Sequence, residues 1–250
     1  MTQTLQQAAR LTLSLLLSTA VCAQTTAPAT PYMNRNVIVL DPAHGGEDIG
    51  ATLDGQPEKD VTLDLAASLK ALLTARGFTV VSTREADLPD TAPILTTDQR
   101  AGIANHLRPI ACIVIHATRT GSGIGLFTSS LPLSPDLYEP AAQIPWDTAQ
   151  TTYLPSSYRL ANDLGVALLR AKIPAVLTRT VLRPLDNLTC PAVAIEVAPL
   201  VVGSGNKSTS PTDGYYQQRL ADTLAAAIQN WRDLLYPRPA PKAAATGTTP

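Results

Sequence analysis

Short apolar runs rich in β-branched residues alternate along this chain with longer segments of helical period, and this alternation restricts the fold more than any other feature. Uniformly apolar strands are typical of parallel sheets that are covered on both faces. We therefore expect a single α/β domain with a mostly parallel, twisted sheet and helices on both faces. The predicted strands are 36–40, 78–82, 110–115, 124–128, 176–182 and 192–197. The predicted helices are 60–76, 97–107, 157–172 and 213–235.

Size and charge agree with one domain and exclude some functions. The 250 residues are 45% apolar, which is enough for one sizeable core. The formal net charge of -1 leaves no basic face for phosphates, so we expect no nucleic-acid partner. With two Phe and two Trp, a broad aromatic platform for carbohydrate is not expected either.

The amino-terminal residues have the pattern of an export signal. The apolar stretch 11–21 has the length of a signal-peptide core and is shorter than the roughly 20 residues of a membrane span. Small residues around Ala23 suit cleavage, so residues 1–23 are predicted to be a signal peptide. Lipid attachment at Cys22 is the alternative, although the residues before it match that signal poorly. We expect an exported protein of the periplasm or the extracellular cell envelope, with no stable transmembrane span after cleavage.

Three further segments have compositions that disfavour regular structure. Residues 24–35 are predicted to be a flexible mature N-terminus, and the Pro/Ala-rich residues 237–250 a disordered tail. The stretch 130–155 contains five prolines and is predicted to be a long loop. Its position suits either a lid over a cleft or a solvent-exposed insertion.

Two cysteines remain after the predicted cleavage. Cys112 and Cys190 both lie in or beside predicted strands. A disulfide forms in an exported protein if the two strands are neighbours. The simpler expectation, which we favour from the sequence, is a pair of buried thiols.

Three polar side chains stand where predicted strands end. His44 follows the first strand in a glycine-rich turn, His116 directly follows the third strand, and Glu196 lies near the end of the last. In open α/β sheets the functional crevice lies at the carboxyl ends of the strands, so these side chains are expected to meet. Two imidazoles and a carboxylate are a usual ligand set for a catalytic zinc. A second carboxylate accepts a proton from the attacking water.

Each of these residues also has a structural interpretation. A lone His44 or His116 more often makes one hydrogen bond in a turn or at a strand end. Asp41 lies three residues before His44 and is expected to orient its imidazole. Glu196 interrupts an apolar strand, and an unpaired carboxylate is costly to bury. An ion pair with Arg183 therefore competes with the role of a general base.

Glu58 precedes the first predicted helix, where the structural interpretation is a solvated acidic residue that favours a helix N-terminus. Glu47 and Asp48 lie nearer to His44 in the sequence and compete with Glu58 as the third ligand. From the residues alone, the choice among these carboxylates stays open.

Four segments together carry a family resemblance: DPAHGGEDIGA at 41–51, EKDV at 58–61, IVIHA at 113–117 and PAVAIE at 191–196. In order and spacing they resemble the zinc-dependent N-acetylmuramoyl-L-alanine amidase family of the amidase 3 type. The resemblance extends between residues 36 and 235, nearly the whole predicted mature chain.

The resemblance implies that His44, Glu58 and His116 bind Zn²⁺ and that Glu196 is the catalytic carboxylate. It thereby favours Glu58 over Glu47. It implies that residues 36–236 form a zinc amidase catalytic domain, which hydrolyses the amide between N-acetylmuramic acid and L-alanine with a metal-activated water. Peptidoglycan is the expected partner, and a protein activator is a second candidate.

The chain departs from the family pattern at Ala43, Pro57 and Thr118, where the family usually has Gly, Arg and Asn. After Glu196 the usual Gly-Phe-Leu-Ser-Asn is replaced by the residues VAPL at 197–200. These changes motivate a second hypothesis, a catalytically idle protein that binds peptidoglycan or a partner. A zinc peptidase acting on D-amino-acid bonds is a third.

Overall fold

The computed structural model describes residues 33–87, 89, 93–133, 145–201 and 208–237. The strands are β1 Asn34–Pro42, β2 Thr52–Leu53, β3 Gln56–Pro57, β4 Thr79–Ser82, β5 Pro109–Ala117, β6 Ile124–Ser129, β7 Ala175–Thr180, β8 Ala192–Val197, β9 Leu200–Val201 and β10 Ser208–Thr209. The helices are α1 Glu58–Ala75, α2 Thr97–Leu107, α3 Leu154–Arg170 and α4 Gly214–Leu235. Two 3₁₀ helices lie at Trp146–Thr152 and Leu185–Asn187.

Six strands form the central sheet in the order β4-β1-β5-β8-β6-β7. Every neighbouring pair is parallel except β8 and β6, which are antiparallel. The expectation of one α/β domain with a mostly parallel sheet is therefore confirmed.

The two faces of the sheet are covered unequally. On one face, Ile113 and Ile115 belong to a large core that includes apolar side chains of α1, α3 and α4. On the other, Cys112 and Val114 belong to a smaller cluster with residues of α2 and of the 3₁₀ helix Leu185–Asn187. Since successive strand residues point to opposite faces, the two clusters follow from the alternation along β5.

The helices begin where local chemistry favours their ends. At α2, Thr96 and Gln99 form a reciprocal capping box, and the side chain of Asp213 accepts a hydrogen bond from the Tyr216 amide at the start of α4. α1 begins directly after Pro57, whose fixed φ of -63° suits a helix start. This start places Glu58 in the first turn of α1.

The long loop predicted for 130–155 is wrong in part. The residues from Trp146 to Thr152 form a 3₁₀ helix, and α3 begins at Leu154, earlier than predicted. Proline is tolerated in the first turn of a helix, so Pro155 does not prevent this start. Residues 134–144, on which the lid hypothesis depends, lie outside the described residues. Residues 1–32 and 238–250, predicted to contain the signal peptide and the tail, also lie outside them.

Cys112 and Cys190 form a disulfide, so the expectation of two buried thiols is wrong. Their Cα atoms are 6.2 Å apart. β5 and β8 are parallel neighbours in which Cys112 is paired with Ala192, and the Cys112 amide donates to the Pro191 carbonyl. Cys190 thus enters β8 beside Cys112, which the sequence could not reveal without the strand order.

Among the described residues, the structure contains no helix with both the length and the apolar character needed to cross a membrane.

A candidate metal centre beside an open groove

His44 lies in the turn that follows β1 and has a φ of 65°, which is uncommon for a residue with a side chain. Its Nδ1 lies 2.9 Å from Oδ1 of Asp48, which also accepts from the Gly50 amide at 3.2 Å. This contact orients the ring and directs Nε2 towards Glu58, 3.1 Å from Oε2. The expectation that Asp41 orients His44 is wrong, because Asp41 bonds to Thr83 and Arg100 instead.

Glu58 is buried at the start of α1, with 5% of its surface exposed. Its Oε2 accepts from the Ala51 amide at 2.9 Å, and its Oε1 accepts from the Ala117 amide at 3.0 Å. A solvated role at a helix N-terminus is therefore excluded. The carboxylate is instead held between the β2–β3 segment and the end of β5.

His116 completes the cluster from β5. Its Nδ1 lies 3.0 Å from Oε1 of Glu58. The rings of His44 and His116 meet edge to face at 85°, with centroids 5.3 Å apart. One ligand atom from each of His44, Glu58 and His116 lies within 4.8 Å of the others. The three residues predicted as metal ligands are thus brought together.

The hydrogen bonds of the cluster perturb its pKa values. Burial opposes ionisation of Glu58, but the bonds from His116, His44 and the two backbone amides together hold its pKa well below the usual range. The hydrogen bond to Glu58 raises the pKa of His44, burial opposes this, and Asp48 adds to the rise. The site therefore keeps an ionised carboxylate and favours a cation between the imidazoles.

Glu196 stands next to His116 across the sheet. The two residues are register partners in the parallel pair of β5 and β8, so their side chains point to the same face. A groove of about 220 Å³ is lined by His116, Phe127, Thr180, Leu182, Ala194, Ile195 and Glu196. Among the described residues, no hydrogen bond or ion pair engages the Glu196 carboxylate, which is partly exposed.

The predicted alternative for Glu196, an ion pair with Arg183, is not formed. Arg183 instead lies 4.0 Å from Asp98 and stacks over the Trp146 ring at 5.2 Å. Glu196 lines an open groove, and within the described ranges no side chain forms an ion pair with it, so its carboxylate is suited to act on a ligand.

Gly50 is a site residue that sequence analysis passed over. Its φ is +64°, and a Cβ at this position would lie 2.6 Å from Cδ2 of His44 and 2.7 Å from Oε2 of Glu58. Asp48 and Gly50 together form a turn in which the side chain bonds to the amide two residues on. The sequence signal was the Asp-x-Gly spacing at 48–50, which begins four residues after His44.

The chemistry of the donor set fits zinc. Two imidazoles and one carboxylate, contributed by three separate segments of the chain, converge here, and Asp48 orients the His44 ring through the nitrogen that faces away from Glu58. Fold and site together define an α/β protein with a His-Glu-His cluster at the carboxyl edge of its sheet.

Residues 38–230 match the Amidase_3 family, described as N-acetylmuramoyl-L-alanine amidase. The match covers most of the chain, and this protein belongs to that family.

A sequence relative agrees with this assignment. Over 85 residues, the chain is 38% identical to the germination-specific N-acetylmuramoyl-L-alanine amidase of Bacillus subtilis, a match that covers 34% of this chain and 35% of the relative. The chain spans only about a third of that relative's length, which is well under two thirds.

The fold resembles the catalytic domain of CwlV, an N-acetylmuramoyl-L-alanine amidase from Bacillus (Paenibacillus) polymyxa, with a TM-score of 0.58. Identity is 22%, over 79% of this chain and 98% of that domain. It also resembles the CwlD amidase of Clostridioides difficile, solved in complex with the GerS lipoprotein, with a TM-score of 0.55 and 21% identity. That similarity covers 80% of this chain and 99% of the other.

Proposed function

We propose that this protein is a zinc-dependent N-acetylmuramoyl-L-alanine amidase that hydrolyses the amide between the lactyl group of N-acetylmuramic acid and L-alanine in peptidoglycan. The observation that carries the proposal is the convergence of His44, Glu58 and His116 beside Glu196, in a chain of the amidase family. His44, Glu58 and His116 hold the metal, with Nε2 of His44 and Nδ1 of His116 facing the carboxylate.

Zinc, when bound, supplies a Lewis acid that polarises the scissile carbonyl and acidifies water at the site. Glu196 accepts the proton of the attacking water and returns it to the nitrogen of the leaving L-alanine. No hydrogen bond from the described part of the chain occupies its carboxylate, so both oxygens are available for this exchange. Asp48 keeps the His44 ring oriented, and the amides of Ala51 and Ala117 keep the Glu58 carboxylate in place.

The groove suits an extended peptide substituent. It is apolar along Phe127 and Leu182 and polar at His116 and Glu196, and this division supports a binding mode with the reacting amide at the polar end. Peptidoglycan is the proposed substrate and partner. A protein partner is a second proposal, supported by the complex of the similar CwlD amidase with a lipoprotein.

We also propose export to the cell envelope, with residues 1–23 removed as a signal peptide. The disulfide between Cys112 and Cys190 supports this location, because disulfides persist in oxidising compartments and are rare in the cytosol.

The hypothesis of an idle binding protein depends on the altered residues after Glu196. In the structure these residues bond through their backbones: the carbonyl of Val197 accepts from Thr118, that of Pro199 accepts from Gly123, and the Ala198 amide donates to Gly123. Side-chain changes there leave the His-Glu-His cluster intact, which favours the active enzyme.

Digestion of purified peptidoglycan by the zinc-loaded protein, with mass spectrometry of the products, tests the proposal. An amidase releases whole stem peptides with a free L-alanine amine and leaves the lactyl group on the glycan. Chelation of the metal and Glu196→Gln are the matched controls: chelation should abolish release, and Glu196→Gln should slow it about 10²- to 10⁴-fold. Shortened stem peptides would indicate the peptidase instead, and no products from protein shown to contain zinc would indicate the idle binder.

A further inference from the structure

Two buried arginines bind the backbone that carries His44. Nε of Arg84 and Nη1 of Arg100 both donate to the Pro42 carbonyl, at 3.1 and 3.0 Å. Nη2 of Arg84 donates to the Ala43 carbonyl at 3.0 Å, and Nη2 of Arg100 donates to the His44 carbonyl at 2.7 Å. Three successive carbonyl oxygens therefore point at two guanidinium groups.

Arg84 also reaches the segment that carries Glu58. Its Nη2 donates to the Lys59 carbonyl at 2.6 Å and to Thr62 Oγ1 at 3.2 Å. Thr62 Oγ1 in turn donates to the Ala43 carbonyl at 3.0 Å. One guanidinium thus joins the turn after β1 to the first turn of α1, which are the two segments that present the first two candidate ligands.

A contribution to the stability of the fold does not explain why these two arginines are buried here. Arg84 and Arg100 are 4% and 5% exposed, and the Asp41 carboxylate forms an ion pair with Arg100 at 2.8 Å. Nη1 of Arg84 and Oδ2 of Asp41 are buried without a hydrogen-bond partner. Buried charges and unpaired polar atoms are costly, so a buried cluster with these defects suggests a role in positioning.

We propose that Arg84 and Arg100 are positioning residues for the metal site, which fix the backbone at His44 and its distance from Glu58. The inference rests on the proposed function, since it takes His44 and Glu58 as zinc ligands. The backbone at His44 has a φ of 65°, which is energetically costly for a residue with a side chain and persists only when surrounding contacts stabilise it. A planar guanidinium can provide these contacts because its several hydrogen-bond donors have fixed directions. A lysine ammonium has no such fixed set of donors.

The test is zinc affinity, measured on the full chain by competition with a chromophoric chelator, in Arg84→Lys and Arg100→Lys. Both variants keep the charge and lose the fork of donors. We expect zinc affinity to fall about 10- to 100-fold, the range found when groups that orient metal ligands are removed.

Arg232→Lys is the matched control, because Arg232 is also buried but lies over the Phe78 ring at 4.2 Å and contacts no part of the His44 turn. Its zinc affinity should stay within about twofold of the wild type, a change small beside the range above.

If an arginine variant does not fold, a less disruptive substitution tests the same positioning role. Thr62→Val removes the hydroxyl that links Arg84 to the Ala43 carbonyl and preserves the shape of the side chain. It should weaken zinc binding about threefold or more, since one of the orienting hydrogen bonds is lost. Thr128→Val, at a buried position on β6, is its control and should leave zinc affinity unchanged.

Equal zinc affinity in the wild type, the folded arginine variants and Thr62→Val overturns the positioning role. Equal losses in Arg232→Lys and Arg100→Lys also overturn it, because they show a general effect of stability. Failure of the proposed function has a different signature, namely wild-type protein that binds zinc and releases no stem peptide. In that case the ratio of affinities among the variants still decides the role of the arginines.

Discussion

The disulfide between Cys112 and Cys190 closes a loop with a sequence separation of 78 residues, and its contribution to stability follows from that length. Restricting a loop of this size in the unfolded chain is worth roughly 4.5 kcal/mol by the chain-entropy account. The free energies of unfolding of oxidised and reduced protein should therefore differ by about this amount. For a domain of this size, the melting temperature should fall on reduction by roughly 9–18 °C.

Urea unfolding of oxidised and reduced protein measures this difference directly. Trp231 is buried, with 2% of its surface exposed, so tryptophan fluorescence reports the loss of the core. In protein that retains residues 1–23, a Cys22→Ser background removes the third cysteine and prevents exchange. The matched control is Cys112→Ala with Cys190→Ala, in which reducing agent should have no effect on the free energy of unfolding.

Two results would refute this reasoning. One is a difference of less than about 1 kcal/mol between oxidised and reduced wild type, which would mean that the crosslink does not restrict the unfolded chain as its loop length requires. The other is a thiol titration that finds two free thiols per chain in unreduced Cys22→Ser protein.

The other predictions concern the metal centre. Glu196→Gln should retain zinc and lose about 10²- to 10⁴-fold in turnover, measured by release of stem peptides; wild-type turnover would refute its role. Gly50→Ala should lower zinc affinity about tenfold or more, because its Cβ would lie 2.6 Å from Cδ2 of His44; an unchanged affinity in the chelator assay would contradict this. In the metal-free protein, the bonds of His44 to Glu58 and Asp48 raise its pKa above the ordinary histidine value of 6.5. These bonds therefore stabilise the fold fully below pH 6.5, and this stabilisation is lost as the pH rises through the raised pKa. The lowered pKa of Glu58 acts in the opposite direction: its contribution is present above 4.5 and is lost as pH falls through its folded pKa. Metal-free protein should therefore melt at its highest temperature between about pH 4.5 and 6.5, and Asp48→Asn should reduce the fall in melting temperature above pH 6.5; a melting temperature that keeps rising above this window would contradict the assignment.

The fold was largely predictable because its strands are strongly patterned. Uniform apolar runs such as those of β5 and β8 require cover on both faces, and a helical period between them leaves few architectures other than a parallel sheet. His116 and Glu196 could be placed at one edge for the same reason, since parallel strands end on the same side. The antiparallel pairing of β6 with β8 was not predictable, because the residue composition of a strand does not indicate its direction in the sheet.

Contacts that depend on exact strand order or on turn geometry were missed. Asp41 and Asp48 are both near His44 in sequence, and only the left-handed turn at His44 decides that Asp48 faces the ring. Arg84 and Arg100 lie about 40 and 56 residues from the carbonyls they bind, a separation that sequence patterns do not encode. The pattern specified the architecture and the candidate ligands, while the groups that hold the ligands became visible only in the folded chain.

Crystals of the purified protein grown with zinc, with data collected at the zinc absorption edge, test the central claim most directly. One anomalous peak should lie between Nε2 of His44, Nδ1 of His116 and the Glu58 carboxylate, at roughly 2.0–2.2 Å from each, with Glu196 facing its open side. A peak elsewhere, or a zinc that leaves Glu58 out of its coordination, would contradict the proposed centre.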